Sequence, residues 1–489
     1  MKKAVFAIFL ALTALLAASC GEKEPGPAEL AAAWDGTVAS ISGAELENEK
    51  AIEDAFVTYW ALPDGAREMT TEYGTLTELR SEVTKRFVVK QYRDARMPHD
   101  RLLIGCYRVP ECTDAVLSAL AECGFDLIWD CVDPDMVMKY GLGMIPSAYS
   151  LNVPALGESD EDFLALVRDM GLDNGAIWCL DLQDEPRLID LEPLGNIGRL
   201  LMKEALPASG FLSNLLPTYG FRDKYDKYEE YVRTYFDTVG EYSDLVSVDH
   251  YIYNMERENG ANQLSSFLNN LEIIARYCRE RGHDLNVILQ HIDVSETGGF
   301  EVPADRMRFQ AYASMAYGAK GIHWYAMHKY EFSVVDENGE KTALFDRLSQ
   351  VNGELKALAP VYMRYTGDGT AVLLNSTFAA NMLGDKYLGS FDADSLGSAL
   401  KDVKPGPDGS LIVGHFTKNA GGGEAYLFVG CRNYNFKTKQ TSSVTFTAAE
   451  PGAVVTAYVR GIPSRLVPDE NGVYTVEVKN ADAVFVTVE

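Results

Sequence analysis

The chain has 489 residues and a formal net charge of -27, from 71 acidic against 44 basic side chains. Such acidity repels phosphate backbones and argues against any nucleic-acid partner. The length exceeds one compact unit and predicts two domains behind a shorter N-terminal piece.

In chain order, a targeting segment comes first. Lys2 and Lys3 precede an apolar run from Ala4 to Leu16, and the small residues Ala17, Ala18 and Ser19 then lead to Cys20. The run is too short for a permanent membrane helix, so residues 1–19 read as a removable secretory signal. Leu16-Ala17-Ala18-Ser19-Cys20 resembles a bacterial lipobox, although Ala17 stands where Leu is commoner. The resemblance implies a lipidated Cys20 and an outer-membrane anchor; an ordinary signal peptide cut nearby is the alternative. Residues 20–27, polar and rich in Pro and Gly, read as a tether. Its acidity resembles the surface-export signals of Bacteroidetes lipoproteins, which implies exposure at the cell surface. Export permits disulfides, but seven cysteines besides Cys20 cannot all pair. They show no metal-ligand spacing, so neither a structural zinc nor another cofactor is expected.

Residues 28–100 contain a predicted helix at 44–59 and strand character at 87–91, and are expected to lead into the next domain and cover one of its faces. Residues 101–365 then alternate between short apolar runs and longer segments with helical spacing. Eight strands are predicted: Leu102–Cys106, Asp126–Asp130, Gly143–Ser147, Ala176–Leu180, Gly210–Asn214, Leu245–Asp249, Asn286–Gln290 and Gly321–Tyr325. Most are continuously apolar, as parallel strands buried on both faces must be. The helices between them include Asp160–Met170, Asn262–Arg281, Asp305–Tyr317 and Phe345–Leu358, the last closed by Pro360. Eight β–α units predict a TIM (β/α)₈ barrel; an open doubly wound sheet is the rival, but it lacks its Gly-rich phosphate loop here. Residues 366–489 change to short alternating runs with Asp-Gly and Asn-Gly turns, predicting a C-terminal antiparallel β-sandwich. Its expected role is a structural cap, with sugar binding as the alternative.

In such a barrel reactive groups gather at the C-terminal strand ends. The predicted ends offer Asp130, Asp184 and Glu185, Asn214, Asp249 and Tyr251, Gln290 and His291, and Trp324. Carboxylates can move protons, amides can read hydroxyls and rings can stack on sugar faces, so this set suits a carbohydrate. The abundance of Tyr, 26 residues, agrees with that chemistry and equally with ordinary core packing. A hairpin predicted at Phe332–Thr342 is a candidate lid, with an ornamental hairpin as the commoner alternative.

The sharpest local feature is Leu182-Gln183-Asp184-Glu185-Pro186 directly after the fourth strand. Here, and over roughly residues 100–365, the chain resembles clan-A glycoside hydrolases, with Asp184 in place of the usual Asn. The resemblance implies a glycosidase with Glu185 as general acid/base and Asp184 touching a sugar hydroxyl. It also implies a nucleophilic Glu ending strand seven, where this chain has Gln290, an amide that cannot attack. Asp249, Asp293 and Glu296 are the possible second carboxylates, with Asp249 favoured. A separation of about 5–5.5 Å from Glu185 would imply retention and about 6.5–9.5 Å inversion. The alternative function, favoured by Gln290, is a surface glycan-binding protein that kept the barrel and lost hydrolysis. The remaining expected binding residues are Asp130, Asn214, Tyr251, Gln290, His291 and Trp324.

Overall fold

A computed structural model describes residues 25–87, 96–129, 133–147, 161, 174–200, 210–221, 225–243, 245–253, 260–292, 301–327, 332–374, 387–388, 396–407, 409–431 and 441–489. The expected signal, Cys20, Asp130, Asp293 and Glu296 lie outside these residues, as does nearly all of the helix expected at 160–170. Among the described residues no helix is long and apolar enough to cross a membrane. Cys112 is disulfide-bonded, and Cys106, Cys123, Cys179, Cys278 and Cys431 are buried free thiols.

Parallel strands form the central ring: β1 (Leu103–Tyr107), β2 (Leu127–Trp129), β3 (Gly143–Ile145), β4 (Cys179–Asp181), β5 (Gly210–Leu212, continued by Asn214–Leu215), β6 (Leu245–Asp249), β7 (Asp284–Gln290) and β8 (Gly321–Tyr325). Each pairs with the next, β3 meeting β4 through the bridges Met144–Ile177 and Ser147–Asp181. β8 then returns to β1, with Leu103 opposite Gly321. The ring is closed, and closure decides for the (β/α)₈ barrel against the open sheet.

Closure also sorts the side chains by parity. Leu103, Tyr107, Leu127, Trp129, Ile145, Cys179, Leu212, Leu245 and Ile288 share one cluster on the axis. The residues between them, such as Ile104, Ile128, Leu180, Phe211, Val248, Leu289 and Trp324, pack outward into the core shared with the helices. Each strand is therefore apolar on both faces.

Three long helices precede the ring, α1 (Pro27–Ala39), α2 (Glu49–Ala61) and α3 (Tyr73–Phe87), with a single helical turn at Asp64–Arg67 between the last two. Trp34, Val38, Ile52, Phe56, Leu76, Val83 and Phe87 give them a small core of their own. Phe87, expected to begin a strand, instead ends α3. Outside the strands lie α4 (Asp114–Glu122), α5 (Pro134–Lys139), α6 (Leu191–Leu200), α7 (Tyr225–Asp237), α8 (Gly260–Arg281), α9 (Ala304–Ala316) and α10 (Ala343–Tyr362). Thr113 caps α4 by accepting the Val116 N–H at 3.3 Å. α10 runs through Pro360 rather than stopping before it. Its last turn is held because the Pro360 carbonyl accepts Thr84 Oγ1 at 2.6 Å and Arg364 Nε at 3.0 Å.

The C-terminal part is antiparallel: β9 (Tyr365–Leu374), β10 (Tyr387–Leu388), β11 (Leu400–Pro405), β12 (Leu411–Lys418), β13 (Glu424–Gly430), β14 (Thr441–Ala448), β15 (Val455–Val459), β16 (Ile462–Arg465), β17 (Val473–Lys479) and β18 (Ala483–Val488). A seven-stranded sheet in the order β10-β9-β12-β13-β18-β15-β16, in which only β10 pairs in parallel, faces a three-stranded sheet β11-β14-β17. Phe428, Phe446 and Tyr474 stack between them, with ring centroids 6.3 and 5.6 Å apart. The other face of the larger sheet lies on the barrel, where Phe416 and Phe485 meet Tyr362 of α10 at 5.4 and 5.9 Å.

A buried ionic cluster ties the three parts together. Glu53 of α2 accepts Arg80 Nε at 2.9 Å and Nη2 at 2.8 Å, pairs with Arg364, and accepts the Tyr458 hydroxyl at 2.9 Å. Arg364 also donates to Glu49 at 2.6 Å, and Lys418 of β12 reaches Glu49 at 3.0 Å. Burial alone would raise the Glu53 carboxyl, but Arg364 and Arg80 outweigh it and hold it at about 2. Replacing Glu53 with Gln leaves the buried Arg80 guanidinium without a counter-charge and Arg364 with Glu49 alone, and should destabilise the protein by about 3–5 kcal/mol at neutral pH in urea unfolding. Glu53's contribution is complete above its unfolded value near 4.5 and is lost as pH falls toward 2, so the variant should approach the parent across that window.

Candidate active site

The C-terminal strand ends bring together four of the residues expected from sequence. Asp249 ends β6, and its Oδ1 accepts Nδ2 of Asn214 on β5 at 2.9 Å. The same nitrogen donates to Asp184 Oδ1, in the loop after β4, at 3.2 Å. One amide thus holds two carboxylates. Glu185 follows in the left-handed region, φ 49°, and its N–H donates to the Asn214 carbonyl at 2.9 Å. A non-glycine residue in that region is uncommon and is held there by its surroundings, here by the β5 backbone.

Three carboxylates so close perturb one another. Asp249 is 5% exposed. Burial first, and then the charges of Glu185 and Asp184, push its carboxyl up to about 8, against the Asn214 donor. Asp249 therefore keeps its proton at neutral pH. Glu185 retains an open side to solvent, yet the protein around it and the neighbouring Asp184 charge raise its carboxyl as well.

An arc of rings crosses the mouth beside this group. Trp129 meets Tyr107 at 5.3 Å, Tyr107 meets Tyr325 at 5.4 Å, and Tyr325 meets Tyr251 at 5.1 Å between centroids. Tyr251, expected as a binding residue, sits at the end of the arc. Arg108 lies near the Tyr107 ring, 5.8 Å from its centroid. No group of His, Cys, Asp and Glu among the described residues could hold a metal ion.

Three expected residues lie elsewhere. Trp324 has the outward parity of β8, is fully buried, and donates its indole N–H to Asn352 of α10 at 2.9 Å. Tyr325, one residue on, faces the mouth instead. Gln290 is buried and committed to backbone: Oε1 accepts the Tyr253 N–H at 2.7 Å, and Nε2 donates to the Tyr253 carbonyl at 2.9 Å. His291 is wholly buried, its backbone bonded to Tyr325 and Val302, and it presents no surface to the mouth. Counting alternate residues along β1 and β8 from their shared register would have exchanged Trp324 for Tyr325. The hairpin at 332–342 forms, with Val335 bridged to Lys341, but buried Val334 and Val335 pin it to the core and remove it as a lid.

A cavity of about 290 Å³ lies away from the mouth, at the start of β7 and the seam with the sandwich. Its central Asp284 takes Lys320 at 2.7 Å and His99 at 2.7 Å, so its charge is answered within the wall.

No family model and no curated protein sequence matches the chain. Among solved structures it is similar to a β-galactosidase from G. stearothermophilus, with 8% identity over 82% of this chain and 100% of that chain, at a TM-score of 0.44. It is also similar to an α-amylase from Geobacillus thermoleovorans, with 9% identity over 81% and 99% of the two chains, at 0.42. A homocysteine methyltransferase from Escherichia coli matches with 13% identity over 51% and 95%, at 0.31. At these identities and TM-scores the likenesses carry no argument, and the barrel stands on its own strand pairing.

The raised Asp249 carboxyl has a measurable consequence. Unfolded, this side chain loses its proton near 3.8; folded, it keeps it to about 8. Between those values folding takes up a proton, so Asp249 costs stability that grows with pH and levels off above 8. Asp249→Asn keeps the acceptor for Asn214 and never ionises. The variant should be more stable than the parent, by an amount rising to the order of a few kcal/mol at the alkaline end. Equal melting temperatures there would refute the raised carboxyl.

Proposed function

We propose that the chain is a glycoside hydrolase acting on O-glycosidic bonds of a glycan, with Glu185 as general acid/base and Asp249 as the second carboxylate. The observation that carries this reading is the pair Asp184 and Asp249 on the Asn214 side-chain amide, with Glu185 tied by its backbone N–H to the Asn214 carbonyl, all beside the arc of rings. A raised carboxyl at Glu185 stays protonated over more of the pH range, which suits donation to a glycosidic oxygen. A proton on Glu185 removes one of the charges that keep Asp249 neutral, so Asp249 ionises more readily while Glu185 is the acid. The ionised partner then faces the oxocarbenium-like centre as nucleophile or base. Tyr251 and Tyr325 offer ring faces to the sugar, and Asp184 accepts from its hydroxyls.

A second reading, glycan binding without hydrolysis, is favoured by two observations: Gln290 stands where a carboxylate is expected, and Asp249 is almost wholly covered. One glycan panel separates the two. Glu185→Gln should lower reducing-sugar release at least about 10²-fold while ligand binding persists. Binding without release in the parent would leave the second reading, and full release by the variant would remove Glu185 from the chemistry.

The same proposal places the protein at the outer membrane through a lipid on Cys20. Cys20→Ala should abolish labelling by a radioactive fatty acid and move the protein to the soluble fraction; retained labelling would refute the anchor.

A further inference from the structure

The barrel axis carries a polar chain that no step of the proposed reaction uses. Asn214 Oδ1 accepts Ser247 Oγ at 3.0 Å, Ser247 Oγ accepts Asn286 Nδ2 at 3.0 Å, and that nitrogen lies 3.3 Å from His323 Nδ1. The four residues come from β5, β6, β7 and β8 and are all buried. Barrel interiors are ordinarily filled by branched apolar side chains, and a buried polar group is costly unless fully bonded. Room is set aside for these polar groups. A Cβ on Gly105 would come within 2.4 Å of the His323 ring, and one on Gly321 within 2.3 Å of Asn286 Oδ1.

Hydrogen-bond valence gives the chain one direction. Asn214 Nδ2 uses its two hydrogens on Asp249 and Asp184, which turns its oxygen toward Ser247. An amide oxygen only accepts, so the Ser247 hydroxyl must donate to it and receive from Asn286. The second Asn286 hydrogen can go to His323 Nδ1, which accepts it when the imidazole proton sits on Nε2. Burial holds His323 at about 3, so the ring is neutral and able to accept.

We propose that Ser247, Asn286 and His323 are positioning residues, a one-way hydrogen-bond chain that locks the Asn214 amide with its nitrogen toward Asp184 and Asp249. The inference rests on the reading of those carboxylates as the reacting group. Without the Ser247 hydroxyl, the amide oxygen loses its donor and the amide can turn over. Its oxygen would then face two acids and favour a protonated Asp249. Among the described residues, the titratable groups that interact with Asp249 are Asp184 and Glu185 after β4, Tyr228 on α7, Tyr251 after β6 and Tyr325 on β8. All are acids, so among the described residues the Asn214 donor, and after it Asp249's own backbone N–H, favour the ionised form.

The test is infrared titration of the full chain carrying ¹³C-labelled aspartate, with Asp249→Asn as the blank. Ser247→Ala should move the Asp249 midpoint up by about one pH unit, and Ser247→Thr, which keeps the hydroxyl, should bring it back. Asn286→Leu removes the next donor at similar volume and should shift the midpoint the same way by less. A midpoint unchanged in the folded Ser247→Ala and Asn286→Leu variants overturns the proposal, even if their thermal stability falls. The titration needs no turnover, so failure of the parent to release sugar from any glycan would count against hydrolysis alone.

Discussion

Closing eight parallel strands into a ring imposes the constraint from which the other features follow. Once β8 pairs with β1, alternate side chains must meet on a narrow axis while their neighbours meet a layer of helices. Both faces are then dry, and every inward polar residue needs a partner from another strand. Asn214, Ser247, Asn286 and His323 bond one another in a chain, with Asn286 Oδ1 and His323 Nε2 left without a partner among the described residues, and two glycines leave them the space. The same parity delivers Asp249 to the mouth, because it lies two residues beyond Ser247 on β6. Interior network and candidate site are one construction.

The protein treats two buried carboxylates in opposite ways. Glu53 is given two guanidiniums and a phenol, and its charge fastens the N-terminal helices to the barrel end and the sandwich. Asp249 is given one amide and two like charges, and its carboxyl rises accordingly. A group held for stability is surrounded by opposite charge, whereas a group left in conflict lowers stability and retains a proton near neutrality. The contrast marks the mouth as the place where the fold tolerates an electrostatic cost.

The sequence displayed these features unequally, for reasons that lie in the packing. The strand count was legible because each apolar run of about five residues is bounded by turn or helix signals. Asp184, Glu185, Asn214 and Asp249 were legible because each is polar just where an apolar run ends. Parity was not, because a strand apolar on both faces has no alternation to count, and Trp324 was accordingly given the place that Tyr325 holds. Ser247, Asn286 and His323 were hidden for a related reason. A polar residue inside an apolar run has no meaning until the neighbouring strand shows what it touches. Pro360 read as a helix stop because local rules know nothing of the Thr84 and Arg364 donors that secure its carbonyl.

Gln290 explains why the second carboxylate of the proposed reaction comes from β6 and not β7. Its amide meets Tyr253 as another peptide would, accepting the backbone N–H and donating to the backbone carbonyl, with Ile292 O a further acceptor at 3.3 Å. A Glu here could accept but not donate, and would set its charge against two carbonyl oxygens in a dry site. The amide therefore fixes the chain just after Tyr251, which carries one end of the arc of rings. Holding that segment and supplying a charge at the end of β7 are incompatible demands on one side chain. With the first met by Gln290, the inward end of the adjacent strand, Asp249, is the buried position from which a second carboxylate can couple to Glu185.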